Sequence, residues 1–414
     1  MSNGWTGGQY SLFRLALAAY LFVHFAALLP WGAELFSSAG ALVPASASPL
    51  ARLFPNVLTL FDGPGFVRAF LVLGLAATVP LALGVFDRAA AVVLWYVWAC
   101  LFGRNPLISN PSLPFIGWIL LAHAVIPAAP YGSWAARGRV DPRGDWSLPR
   151  SIFLVAWMVM ALGYTYSGVT KLVSPSWVDG TALSHVLVNP LARPGFVREL
   201  LLGLPPVLLR VATWSALALE LLFTPLVLIR ALRPWVWSSM VGLHLGLLVF
   251  VDFADLTLGM LLIHFLTFDP AWVPPRRASA PATVFYDGHC GLCHGVVRFV
   301  LAERSASARL VFAPLHGALF NTRVSQAQQA KLPDSLVVLT EEGRLLTRSA
   351  AVLHILAELG GLWRILGGIA GVLPTALLDA AYDGIAGVRA RLFGRPQDAC
   401  PIIPESLRGS FNLD

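Results

Sequence analysis

The stretch T-V-F-Y-D-G-H-C-G-L-C-H-G-V-V-R-F-V-L-A-E, residues 283–303, decides how this chain is read. It opens with β-branched and aromatic residues, breaks at Asp287-Gly288, and continues with apolar residues at helical spacing, so a strand hands over to a helix. Two cysteines, Cys290 and Cys293, stand at that corner. At a helix N-terminus the exposed amides and the macrodipole stabilise a thiolate, which makes Cys290 the expected attacking sulfur. Cys293 lies within one helical turn and is the expected resolving thiol. Asp287 is placed to order the turn or relay a proton, and His289 and His294 flank the pair. Three other readings fit the same letters. The pair is half of a zinc site completed by His289 and His294, or a c-type haem attachment sequence, or two buried structural cysteines. Of the three, none displaces dithiol exchange, and no metal is expected.

Downstream, RLVFAPL and SLVVLTEEGRLL read as strands, the latter as a hairpin turning at Glu-Gly, and SAAVLHILAELGG reads as a helix. Strand, helix, strand, hairpin, helix is the order of an α/β thioredoxin-like domain, expected over 283–400. The apolar run at 362–382 is broken by Pro374 and its glycines and carries Asp379, so it is expected as a surface-packed or interfacial helical hairpin. Upstream, the Pro- and Arg-rich residues 271–282 read as a linker. The pattern Asp287, Cys290, Cys293, together with TRSAAVLHIL and YDGIAGVRARLFGR, resembles the DCC family of thiol-disulfide oxidoreductases. That resemblance implies a thioredoxin-like fold and dithiol exchange. The Trp-Cys-Gly-Pro-Cys core of thioredoxins is replaced here by His-Cys-Gly-Leu-Cys, and Pro333 is the candidate for the cis-proline of such sites.

The first two thirds has another character. Over the 414 residues 57% are hydrophobic and 12% charged, with mean hydropathy +0.70, where a soluble domain carries about 25% charged residues. Apolar runs near bilayer length fall at 10–30, 66–86, 88–103, 112–128, 150–170, 207–230, 234–251 and 255–269. The expected fold is therefore a polytopic all-α membrane bundle of about eight helices over 8–270, followed by the small α/β domain. The net charge of +7 resides in short loops, which argues for topology and against nucleic-acid binding. Arg14, Arg88, Arg137, Arg139, Arg143, Arg150, Arg230, Arg233, Arg276 and Arg277 fall on one side. Fewer fall on the other, chiefly Arg52, Arg68, Arg104, Arg193, Arg198 and Arg210. Both termini are expected in the cytoplasm and the chain in the inner membrane, with its first apolar run retained as an anchor. Four cysteines exclude a disulfide scaffold.

Charged groups inside apolar runs are costly, so each is a functional candidate. Lys171 ends one span and Trp177 follows it. A desolvated lysine there can act as a base, although on physics alone a snorkelling interfacial lysine is the better fit. S-G-V-T-K-L-x(4)-W-V-D-G at 167–180, F-G-R-N-P at 102–106, and the late patterns around Glu220, Pro225 and His244 resemble the vitamin K-dependent gamma-carboxylases and their bacterial horizontally transferred transmembrane relatives. In that family the lysine matched by Lys171 is the base that deprotonates vitamin K hydroquinone. Of the site residues, the resemblance carries over to Lys171 alone; a quinone is the candidate cofactor, with Glu220, His244 and Trp177 as the candidate binding residues. Glu220, His244 and His264 fit a structural polar cluster better than a ligand cavity or proton path. His24, His123 and Cys100 read as structural.

The chain is thus expected to be an integral membrane thiol-disulfide oxidoreductase, exchanging disulfides with a protein or small thiol and binding membrane lipid or a quinone. Alternatives are a transporter or lipid-binding scaffold with a redox-sensing thiol domain, and a carboxylase-like enzyme using Lys171. On the expected topology Lys171 and the cysteines face opposite sides.

Overall fold

A helix occupies each of the eight apolar runs. In the computed structural model they are α1 (Gly7–Leu28), α2 (Pro64–Leu83), α3 (Asp87–Arg104), α4 (Leu113–Val125), α5 (Arg150–Lys171), α6 (Pro206–Leu221), α7 (Arg233–Phe250) and α8 (Ala254–Thr267). The structure describes residues 3–42, 54–276, 280–305, 309–393 and 405–412, so Arg52, Arg277, Cys400 and the 394–400 end of the expected domain lie outside the described residues. Proline stands in the first turn of α2, α4, α6 and α7, where its missing N–H costs nothing and its fixed φ suits the helix. Gly84, at φ 68°, closes α2 in the left-handed conformation.

Three helices, α1, α2 and α5, are long and apolar enough to cross a membrane, or up to five if two bent pairs each count as one. One pair is Phe196–Leu202 with α6, bent by 106°. Eight spans do not follow, for readable reasons. α3 carries Asp87, Arg88 and Arg104, α7 carries Arg233, two serines and a histidine, and α4 and α8 have only 13 and 14 residues.

The chain divides into two compact units. One comprises Phe13–Ala128 and Pro149–Phe268, the other Met1–Leu12, Ala129–Leu148 and Asp269–Asp414. The helical unit buries Arg14 completely, and its guanidinium donates to the carbonyls of Leu81 and Ala82, both at 2.7 Å. Arg14 is therefore a cap on the end of α2 and not the loop charge that the topology count took it for. Cys100 is a fully buried core residue of α3.

The second unit holds a four-stranded sheet of order β2-β1-β3-β4, from β1 (Ala282–Tyr286), β2 (Leu310–Pro314), β3 (Val337–Leu339) and β4 (Leu345–Thr347). β2 runs parallel to β1, with Ala282 opposite Leu310, which requires the crossover that α9 (Gly291–Glu303) supplies. β3 and β4 form an antiparallel hairpin, turning at Gly343 (φ 78°). α10 (Arg348–Leu359), α11 (Gly361–Ala370) and α12 (Thr375–Phe393) follow. α11 and α12 bend by 113° around Pro374, and α12 is tied to this domain by Ser349 to Asp379 and by Leu336 N–H to the Tyr382 hydroxyl at 2.9 Å. The free edge of β2 is met by the C-terminal residues, where Phe312 N–H bonds Ser410 O at 2.9 Å.

This unit also takes in Met1–Leu12 and Ala129–Leu148. The last residue of α9 makes the join. Glu303, only 1% exposed, accepts from Gly8 N–H and Trp363 Nε1–H, each at 2.7 Å, and from the Thr6 hydroxyl. A carboxylate thus sits on the orphan amides that open α1. Gly8 permits it, because a Cβ there would lie 2.5 Å from the Glu303 carboxyl carbon. Arg298, one turn earlier, donates to the Arg139 and Val140 carbonyls, and Phe299 packs edge-on to Trp363 at 4.8 Å.

Candidate functional site

Cys290 is the N-cap of α9 and Cys293 lies in its first turn. The corner between β1 and α9 is shaped by Asp287, whose carboxylate accepts from His289 N–H at 2.9 Å and whose carbonyl accepts from Cys290 N–H at 3.2 Å. That is an Asx turn, the local structure expected of Asp before glycine. Both cysteines are free thiols, 6% and 8% exposed, in the core formed by Val284, Tyr286, Val297, Val300 and Phe312. Burial pushes the Cys293 thiol up to about 12, with its contact to the Cys290 side chain acting in the same direction. Cys293 therefore holds its proton at neutral pH.

The flanking groups fall on different sides. His289 is exposed, whereas His294 is half-buried, with its Nε2 enclosed and its ring 6.2 Å from that of Tyr286. Pro333 precedes β3, and its peptide bond is trans, as are all among the described residues, so it does not serve as a cis-proline. Among the described residues, no group of three or more His, Cys, Asp or Glu side chains is arranged to hold a metal ion.

The other candidates meet in the helical unit. Lys171 Nζ bonds Glu220 Oε2 at 2.5 Å and the Ser167 hydroxyl at 2.8 Å, and lies 5.0 Å from the centre of the Trp177 ring. Gly168 makes the meeting possible, because a Cβ there would stand 2.7 Å from Leu221 N; only glycine lets α5 and α6 approach so closely. Lys171, Trp177, Glu220 and His244 together line one cavity of about 450 Å³, otherwise walled by residues such as Phe115, Leu243 and Met260. That volume is in the range of small-molecule sites.

Tyr164 and His264 complete the cluster, and Tyr164 had no role in the sequence reading. The Tyr164 hydroxyl stands between His244 Nε2 at 2.7 Å and His264 Nε2 at 2.8 Å. A hydroxyl has one proton, so it donates to one ring and accepts from the other, and with both rings neutral they take opposite tautomers. The signal was present: a tyrosine three residues before Ser167-Gly168, in a run otherwise apolar on that face.

Comparison with known proteins bears on the dithiol unit. Residues 284–395 match the DCC1-like thiol-disulfide oxidoreductase family. The chain is 30% identical over 132 residues to the uncharacterized protein YuxK of Bacillus subtilis, covering 91% of that protein and 31% of this chain. It is 31% identical over 120 residues to a chloroplastic DCC family protein of Arabidopsis thaliana, covering 68% of it and 29% of this chain. No solved structure matches the chain.

Proposed function

Because this chain belongs to the DCC family, with residues 284–395 forming a thiol-disulfide oxidoreductase-like domain, we propose that it is a membrane-embedded oxidoreductase working by dithiol exchange at Cys290 and Cys293. The juxtaposed free thiols at the β1–α9 corner carry this reading. The sheet order, with a central β1 between a parallel strand and an antiparallel hairpin, supports the thioredoxin-like reading of this mixed α/β domain.

Cys290 sulfur, as thiolate, attacks a disulfide R–S–S–R′. The S–S bond breaks, Cys290–S–S–R forms, and R′–S⁻ leaves and takes up a proton. Cys293 then loses its proton and attacks Cys290 sulfur, releasing R–S⁻ and leaving the Cys290–Cys293 disulfide. Two electrons pass from the dithiol to the substrate, a disulfide-bearing protein or a small mixed disulfide. Asp287 fixes the turn that presents Cys290. The test is reduction of a glutathionylated peptide by the purified, pre-reduced chain. Cys290→Ser abolishes turnover, and Cys293→Ser stalls with one glutathione bound per chain. Unchanged turnover in Cys290→Ser sinks the proposal.

The helical unit anchors the chain in the inner membrane among lipids. Met1–Leu12, Ala129–Leu148 and the dithiol domain share one compact unit, and the arginines of the 129–148 segment favour the cytoplasmic side for all three. A second reading gains from the 2.5 Å Lys171–Glu220 pair in its cavity. It makes the helical unit a carboxylase-like or lipid-modifying enzyme, with a quinone or lipid held against Trp177 and His244. Lys171 acts as a base there once its proton has passed to Glu220. Co-purified quinone or lipid, lost in Lys171→Ala, supports this reading; an apolar extract identical in both opposes it.

A further inference from the structure

The polarity of α12 is inside out. Between Ala376 and Val388 its polar side chains are Asp379, Tyr382 and Asp383, and each is bonded to the domain that the helix lies on. Asp379 accepts from the Ser349 N–H at 3.2 Å and from the Ser349 hydroxyl, Arg348 Nε donates to Asp383 at 3.0 Å, and the Tyr382 hydroxyl accepts from Leu336 N–H at 2.9 Å. The opposite stripe, Leu377, Ala380, Ala381, Gly384, Ile385 and Val388, recurs at three- and four-residue spacing and is exposed throughout. A helix on a water-facing surface is arranged the other way, apolar side chains inward and polar ones out. The stripe is made for an apolar neighbour.

Apolar exposure continues round the bend into α11. Val372 is 85% and Ile369 65% exposed, with Leu366 and Leu373 exposed beside them, and Val372 and Leu373 stand in the break before Pro374 where the two helices turn by 113°. Exposed apolar surface this continuous marks a docking site. The pair is not a crossing, because α11 has 10 residues before the bend and a straight span needs about 20. A sharply bent pair enters and leaves a bilayer on one side. Past Val388 the sequence of α12 runs into Arg389 and Arg391, and anionic headgroups complement that charge.

We infer that the α11–α12 elbow docks on the lipid surface, laid into the boundary between headgroups and acyl chains with Ile369, Val372, Leu373 and Leu377 against lipid. The bonds made by Asp379, Tyr382 and Asp383 hold its apolar face outward. This inference rests on the membrane reading of the helical unit and is independent of the dithiol chemistry.

The test places the photocrosslinker para-benzoylphenylalanine at one position at a time in the full-length chain, reconstituted in vesicles of dioleoylphosphatidylcholine and dioleoylphosphatidylglycerol, and reads adducts by intact mass. All positions chosen are exposed, so the fold is kept. Leu373 in the bend and Leu377 on the stripe each gain the mass of one phospholipid. Ala327, on the surface of the same domain, gains none. Phe22, exposed on α1, gains one and reports on the membrane reading by itself. Lipid adducts at Phe22 with none at Leu373 and Leu377 overturn the inference and leave that reading standing; no lipid adduct at any of the three overturns both. A doubled chain mass in place of a lipid adduct at Leu373, the mark of a second copy on the elbow, overturns it, and so does lipid labelling at Ala327 equal to that at Leu373.

Discussion

Cys290 and Cys293 are the same residue type three positions apart, yet one caps α9 and the other is inside its first turn. Burial holds the Cys293 proton, lifting its titration from 9.0 to about 12. The sign follows from linkage. The folded chain binds this proton more tightly than the unfolded chain, so the associated stability is fully present below pH 9 and is lost as pH rises towards 12. Thermal unfolding of the reduced chain is expected to show the wild type losing stability relative to Cys293→Ser across that window. Parallel curves would remove the buried-thiol account. The same comparison bears on chemistry, because a thiol that ionises late resolves a mixed disulfide slowly at neutral pH and faster as pH rises.

At the level of elements, α9 is the part that ties the dithiol to the rest of its unit. Its first turn carries the cysteines, and its last residue, Glu303, gathers Thr6, Gly8 and Trp363. Glu303→Gln puts an amide NH₂ among those N–H and O–H donors. Leaving buried donors unmet costs about 1–3 kcal/mol, and amide hydrogen exchange at residues 6–9 is expected to accelerate in that variant. Unchanged exchange there would mean that Glu303 does not hold the start of α1. What the sequence disclosed at this scale was the strand-turn-helix corner and the eight helical runs, because period and turn residues are local signals. What it hid was pairing at long range. His24 looked solitary because its partner Asp255 lies 231 residues away, and no local pattern marks Glu303 as the partner of Thr6 and Gly8. Lys171 and Glu220 were found by one rule, charge within an apolar run, and the same rule applied to Asp255 finds it too. Span number was overread because an apolar run makes a helix at 13 residues as readily as at 22, whereas a bilayer requires about 20.

For the whole molecule, shared packing constrains how the chain can thread a membrane. Met1–Leu12, Ala129–Leu148 and the dithiol domain belong to one compact unit, so all three lie on the same side of any bilayer. Crossings between residues 12 and 129 must then be even in number, and so must those between 148 and 269. In the first half α1 and α2 satisfy this, and in the second α5 does so when the bent pair ending in α6 is counted as one crossing. Four crossings fit that rule, and three do not. Protease sites placed after Arg137 and in the β3–β4 turn at Gly343 read the outcome directly. In sealed inside-out vesicles both are cut, and in right-side-out vesicles both are protected, as a cytoplasmic dithiol domain requires. Cleavage of one site in each preparation would separate the 129–148 segment from the dithiol domain, and with it the contact between Arg298 and the Arg139 carbonyl that places α9 beside that segment.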